Sequence, residues 1–104
     1  MATMPAEKLY LARLGQATVN RLKAKGAGLS YTTHTNKGPA SRVSLAFDST
    51  CAFERDVDRG ESATVTIFRI VDEMAQEGTL PPGFEDCVLS LADRRRIAAG
   101  CGAN

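Results

Sequence analysis

The chain has 104 residues, 43% of them hydrophobic and 24% charged, with a formal net charge of +1. That is enough apolar material for one modest core and too balanced a composition for disorder, and no apolar run approaches the roughly 20 residues of a membrane span. The composition predicts a single globular domain over residues 1–104 with no membrane association.

Charge is unevenly divided. Residues 1–42 carry Lys8, Arg13, Arg21, Lys23, Lys25, Lys37 and Arg42 against the lone anion Glu7, whereas residues 43–104 carry six cations against eleven anions. This asymmetry predicts a polyanion-facing N-terminal portion and an acidic body. Met1–Lys8 contains no apolar stretch of a secretory signal. Cys51, Cys87 and Cys101 form an odd set without a CxxC pair, which fits reduced thiols in a cytoplasmic protein.

Proline and glycine punctuate the chain as helix starts and stops: Pro5 to Gly26, Pro39 to Gly60, Ser62 to Gly78, and Pro81-Pro82 to Gly100. The pattern predicts an all-α, compact four-helix domain with helices at about 5–25, 39–59, 62–77 and 83–99 and an irregular polar loop over 26–38. In the first block Leu11, Leu14, Thr18 and Leu22 share a stripe, with Val19 at its margin. Arg13, Gln16, Asn20 and Lys23 align on its polar face as a row of hydrogen-bond donors.

The loop that follows contains no acidic residue. Gly26 and Gly28 let backbone N–H groups approach an anion closely, Tyr31 and His34 can stack on unpaired bases, and Lys25, Lys37 and Arg42 can hold phosphates. Arg13, Lys23, Lys25, Tyr31, His34, Lys37 and Arg42 are therefore the candidate nucleic-acid-binding residues, with single strands favoured over duplex. Gln16–Leu22 also has the residue types of a duplex recognition helix, but it lacks a well-formed preceding helix and turn. A ribbon-helix-helix arrangement using residues 42–48 ranks lower, since the ribbon would lie among acidic neighbours.

The second block supports two readings. As a helix it groups Val43, Ala46, Phe47, Thr50 and Val57, with Glu54 intruding. As a strand it alternates Val43, Leu45 and Phe47 with polar or small residues. The helix is preferred on its punctuation, and the alternative is an α+β fold with a hairpin 29–35/42–48 turning at Asn36-Lys37-Gly38.

In the third block Ala63, Thr64, Ile67, Phe68, Ile70, Val71, Met74 and Ala75 form one broad apolar face, with Val65 the misfit. This predicts the central core helix. The fourth block groups Phe84, Cys87, Val88, Leu91, Ala98 and Ala99. Its Arg94-Arg95-Arg96 run fans around the helix and reads as compensation of the helix C-terminal dipole.

No catalytic constellation stands out. His34 is the single histidine, Cys51 and Cys87 fall on apolar faces, and no metal-ligand spacing is present, so no enzyme activity, cofactor or metal is expected. The sequence predicts a small non-enzymatic nucleic-acid-binding accessory or regulatory protein. The alternative is an inhibitor or adaptor, of the kind phages or mobile elements use, that binds a nucleic-acid-processing complex. In that case Asp48, Glu54, Asp56, Asp58 and Glu61 would form an acidic docking patch.

Overall fold

Apolar residues over 42–47 recur every second position, and in the computed structural model, which describes residues 6–32, 42–48, 51–58 and 61–102, Arg42–Ala46 is a strand. The described elements run α1 (Ala6–Ala24), β1 (Gly28–Thr32), β2 (Arg42–Ala46), β3 (Ala52–Asp56), α2 (Ala63–Glu77), a 3-10 turn (Glu85–Cys87) and α3 (Leu91–Gly102). The strands form an antiparallel sheet in the order β1-β2-β3, so the fold is α+β and the all-α expectation is overturned.

The helix expected over 39–59 fails for a local reason. Val43, Leu45 and Phe47 are buried while Arg42 and Asp48 are exposed, and only a period of two puts all three apolar side chains on one face. Residues 28–32 pair with 42–46, Leu29 opposite Leu45 and Tyr31 opposite Val43, as in the hairpin weighed as the alternative. The third strand, β3, belonged to neither reading. Part of the loop expected over 26–38 is thus strand β1, and residues 33–38, with the proposed turn, lie outside the described residues.

α2 is the central element. Ser62 caps its N-terminus by accepting from the Val65 N–H at 3.3 Å, and Gly78 ends it with φ 75°, a left-handed conformation that costs glycine nothing. Its buried residues are Val65, Thr66, Ile67, Phe68, Ile70, Val71 and Met74, which encircle most of the helix. The apparent misfit, Val65, is buried, with its backbone nitrogen at the close approach of α2 to Gly15 of α1. One side of α2 meets Val43, Leu45 and Phe47 of the sheet segment together with Val19 and Leu22 of α1. Another joins Phe68 to Leu14 of α1 and Leu89, with Ile97 of α3 packed alongside.

α1 comes so close to α2 that Gly15 has room for no side chain: a Cβ there would lie 2.7 Å from the Thr64 carbonyl carbon and oxygen. α3 starts later than the expected 83. Ser90 and Asp93 form a reciprocal capping box, the Ser90 N–H donating to Asp93 Oδ2 and the Asp93 N–H to Ser90 Oγ, each at 3.1 Å. That box sets the start at Leu91, and the preceding chain makes only the short 3-10 turn that buries Cys87.

Candidate nucleic-acid interface

Folding brings the basic and acidic parts of the chain together. Arg21 of α1 reaches Asp93 of α3 at 3.1 Å and also donates to the Asp86 carbonyl oxygen at 3.0 Å. Lys25 pairs with the Asp86 carboxylate at 3.0 Å, and Arg42 on β2 pairs with Glu54 on β3 at 3.1 Å, with Asp56 at 3.9 Å. Each of these cations lies in the basic portion of the sequence and each carboxylate in the acidic one. The linear asymmetry is thus cancelled in three dimensions at Arg21, Lys25 and Arg42.

This sorts the expected site residues. Lys25 and Arg42 are engaged in ion pairs. Tyr31 is 45% exposed on β1, in register with Val43 and Arg55. His34 and Lys37 lie outside the described residues. Arg13 and Lys23 are exposed on α1 and make no ion pair among the described residues.

Arg13 belongs to a groove that the sequence does not announce. α1 and α3 pack together, and between them lies an open trough of about 370 Å³ lined by Arg13, Gln16, Ala17 and Asn20 of α1 with Arg96, Ile97 and Gly100 of α3. Ala17 and Gly100 supply little bulk where the helices face each other, which leaves the trough open. Gln16 Nε2 donates to Asn20 Oδ1 at 2.9 Å, leaving the Asn20 amide protons and one Gln16 proton for a ligand. The result is two guanidiniums and two carboxamides around a floor of Ala17 and Ile97.

Arg96 is the residue that sequence reasoning misses. The Arg94-Arg95-Arg96 run does fan, and its members do different work. Arg94 turns inward: it lies 5.3 Å over the Phe68 ring, reaches Asp72 at 2.7 Å and donates to the Leu89 carbonyl oxygen at 3.1 Å. Arg95 is exposed without an ion pair among the described residues. Arg96, its side chain 78% exposed, is held only loosely by Asp93 at 3.7 Å and lines the groove. The signal available in the sequence was the pairing of Arg96 with Gly100 at i, i+4 and of Ile97 with Gly100 at i, i+3 on neighbouring positions of one helix.

The acidic patch is also partly neutralised. Glu61 accepts two hydrogen bonds from Arg69, at 2.9 and 3.1 Å, and Glu54 and Asp56 share Arg42. Cys51, Cys87 and Cys101 are unpaired thiols, and burial pushes the Cys87 thiol above its ordinary range, which keeps it protonated. Among the described residues no group of histidine, cysteine and carboxylate side chains could hold a metal, and no described helix is long and apolar enough to cross a membrane.

These ion pairs make stability pH-dependent in a definite direction. The Ser90 backbone N–H, the Ser90 side chain and Arg21 hold Asp93 below the usual carboxylate range, Lys25 lowers Asp86, and Arg55 lowers Glu73. Each depressed carboxylate contributes stability present above its unfolded pKa and lost as pH falls through its folded one. Lys25, raised mainly by its hydrogen bond to Asp86, and buried Cys87 contribute below their unfolded pKa values and lose that contribution as pH rises. The thermal midpoint is therefore expected to be flat between about pH 5 and pH 8, falling below about pH 4 and above about pH 9. Asp93→Asn should shrink the acid limb, and an acid limb unchanged in that variant would contradict the assignment.

Comparison with protein-family models, with curated protein sequences and with solved structures returned no match to this chain.

Proposed function

We propose that the protein is a small non-enzymatic nucleic-acid-binding accessory or regulatory protein that takes a phosphate backbone into the α1–α3 groove. The observation that carries the reading is the convergence of Arg13 and Arg96, from opposite ends of the sequence, on one trough with Gln16 and Asn20. Guanidiniums suit phosphate because their planar donors match its oxygens, and carboxamides add neutral donors that position the strand. Ala17 and Ile97 offer an apolar floor for a sugar or the face of a base.

The trough is at the small end of ligand clefts, sized for one nucleotide of a single strand, so single strands are preferred to duplex. Arg95 and Lys23, exposed on the two helices that form the trough, can extend the contact along the backbone. Lys25 and Arg42 contribute little, because a phosphate would have to displace carboxylates already seated on them. A cytoplasmic, reducing setting suits the three unpaired thiols.

Titration of a labelled single-stranded oligonucleotide at several salt concentrations tests this. Two to four neutralised phosphates give a log–log salt slope between about −1.4 and −2.8 for a single strand. Affinity indifferent to salt, or absent at low salt, would overturn the reading.

A further inference from the structure

An edge strand exposes a row of backbone donors and acceptors that can template another strand. β3 is such an edge, since among the described residues it pairs only with β2. The Phe47 N–H donates to the Cys51 carbonyl oxygen at 2.9 Å, which fixes the phase of the ladder. Alternation from that pair turns the backbone groups of Phe53 and Arg55 towards β2, and those of Ala52, Glu54 and Asp56 outward.

Beside this edge lies a second groove of about 370 Å³, between β3 and α2. Phe53, Ile70 and Met74 form its apolar part, and Glu54, Glu73 and Glu77 its acidic part. Phe53 packs edge-on against Phe47 with ring centroids 6.0 Å apart, yet stays 39% exposed. Arg55 is bound to Glu73 through two hydrogen bonds, at 3.0 and 2.6 Å, and Arg42 is shared by Glu54 and Asp56. Glu77 has no ion pair among the described residues, so carboxylates outnumber guanidiniums along this edge.

We propose that β3 is a strand-addition site for a basic, extended segment of a partner protein in which lysine or arginine alternates with apolar residues. Main-chain hydrogen bonds to Ala52, Glu54 and Asp56 supply affinity. The side-chain period of two then puts apolar residues beside Phe53 in the groove and cations beside Glu54 and Asp56 on the other face. A second copy of this chain is a poor occupant. Symmetric antiparallel pairing of two β3 strands over their full length sets Glu54 against Glu54; a shift one way sets Arg55 against Arg55 and Glu54 against Asp56, and a shift the other way, with Phe53 against Phe53, pairs only Ala52, Phe53 and Glu54. The site shares no lining residue with the α1–α3 groove and stands independently of it.

A soluble peptide alternating lysine and valine is the probe, followed by anisotropy and by amide hydrogen exchange of the full chain. Binding should slow exchange at Ala52, Glu54 and Asp56 by about tenfold or more, and a glutamate–valine peptide should bind at least about tenfold more weakly. Glu54→Lys with Glu77→Lys should weaken the lysine–valine peptide by about tenfold or more. Glu54→Pro, which removes an outward donor without breaking a ladder bond to β2, should weaken it comparably while the fold is retained. Equal affinity for the two peptides, no binding up to about 1 mM, or protection at β1 or the helices would overturn the proposal. So would edge amides already protected in the free protein, which would mean the chain covers its own edge, or self-association that Glu54→Lys abolishes. Oligonucleotide affinity measured on the same variants should not fall by more than about twofold, so failure here is distinguishable from failure of the nucleic-acid reading.

Discussion

Gly15→Ala should destabilise the fold by about 2 kcal/mol, although alanine is the better helix former by about 1 kcal/mol. The added methyl would meet the Thr64 carbonyl group at 2.7 Å and the Val65 nitrogen at 2.8 Å, and these are backbone atoms of the first turn of α2. No rotamer change can clear them. α1 must back away, loosening Leu14 and Val19 on either side of the contact, both only 2% exposed. The control is Gly100→Ala, where the same change on α3 meets nothing within 4 Å and should stabilise by about 0.5 to 1 kcal/mol. In thermal unfolding the first variant should melt about 10 °C lower. A Gly15→Ala protein as stable as the parent would show that the two helices are not in this close contact.

The sequence carried two of the four expected helices, α1 and α2, well, and the sheet poorly. α1 at Ala6–Ala24 and α2 at Ala63–Glu77 lie within a residue or so of their expected limits, because capping residues and a period near 3.6 act locally. The sheet depended on pairing between segments, which local punctuation does not record. Pro39 and Gly60, read as helix boundaries, lie outside the described residues, while the alternation at Val43, Leu45 and Phe47 carried the true signal. β3 was the hardest element to see. Its residues Ala52–Asp56 are mostly exposed and carry no alternation of apolar with polar side chains, as befits an edge strand. The late start of α3 was written as Ser90-x-x-Asp93, a capping box overshadowed by the prolines at 81 and 82.

The candidate site divides the same way. The donor row Arg13, Gln16 and Asn20 follows from helix geometry and was legible, whereas its facing residue Arg96 depends on how α3 docks on α1. Counting charges along the chain overstated the basic end. Arg21, Lys25 and Arg42 each find a carboxylate from the acidic portion, and a linear tally cannot anticipate a partner many residues away.

Charge reversal at the groove is expected to produce the larger functional effect. Arg13→Glu with Arg96→Glu removes the two phosphate contacts proposed for the groove and puts two carboxylates on the trough, so single-strand affinity at low salt should fall by about a hundredfold. The salt dependence should flatten with it, because fewer counterions are released. Both side chains are exposed and Arg13 makes no ion pair among the described residues, so the fold and its melting temperature should change little. Lys25→Glu with Arg42→Glu alters the net charge equally, but at positions already paired with carboxylates.

Titrating one labelled single-stranded oligonucleotide against these two double variants and the parent is the most direct test that the cationic surface is the α1–α3 groove. The groove variant should lose about a hundredfold, and the paired-cation variant less than about threefold. Equal losses in the two variants, or a larger loss from Lys25 and Arg42, would contradict that assignment.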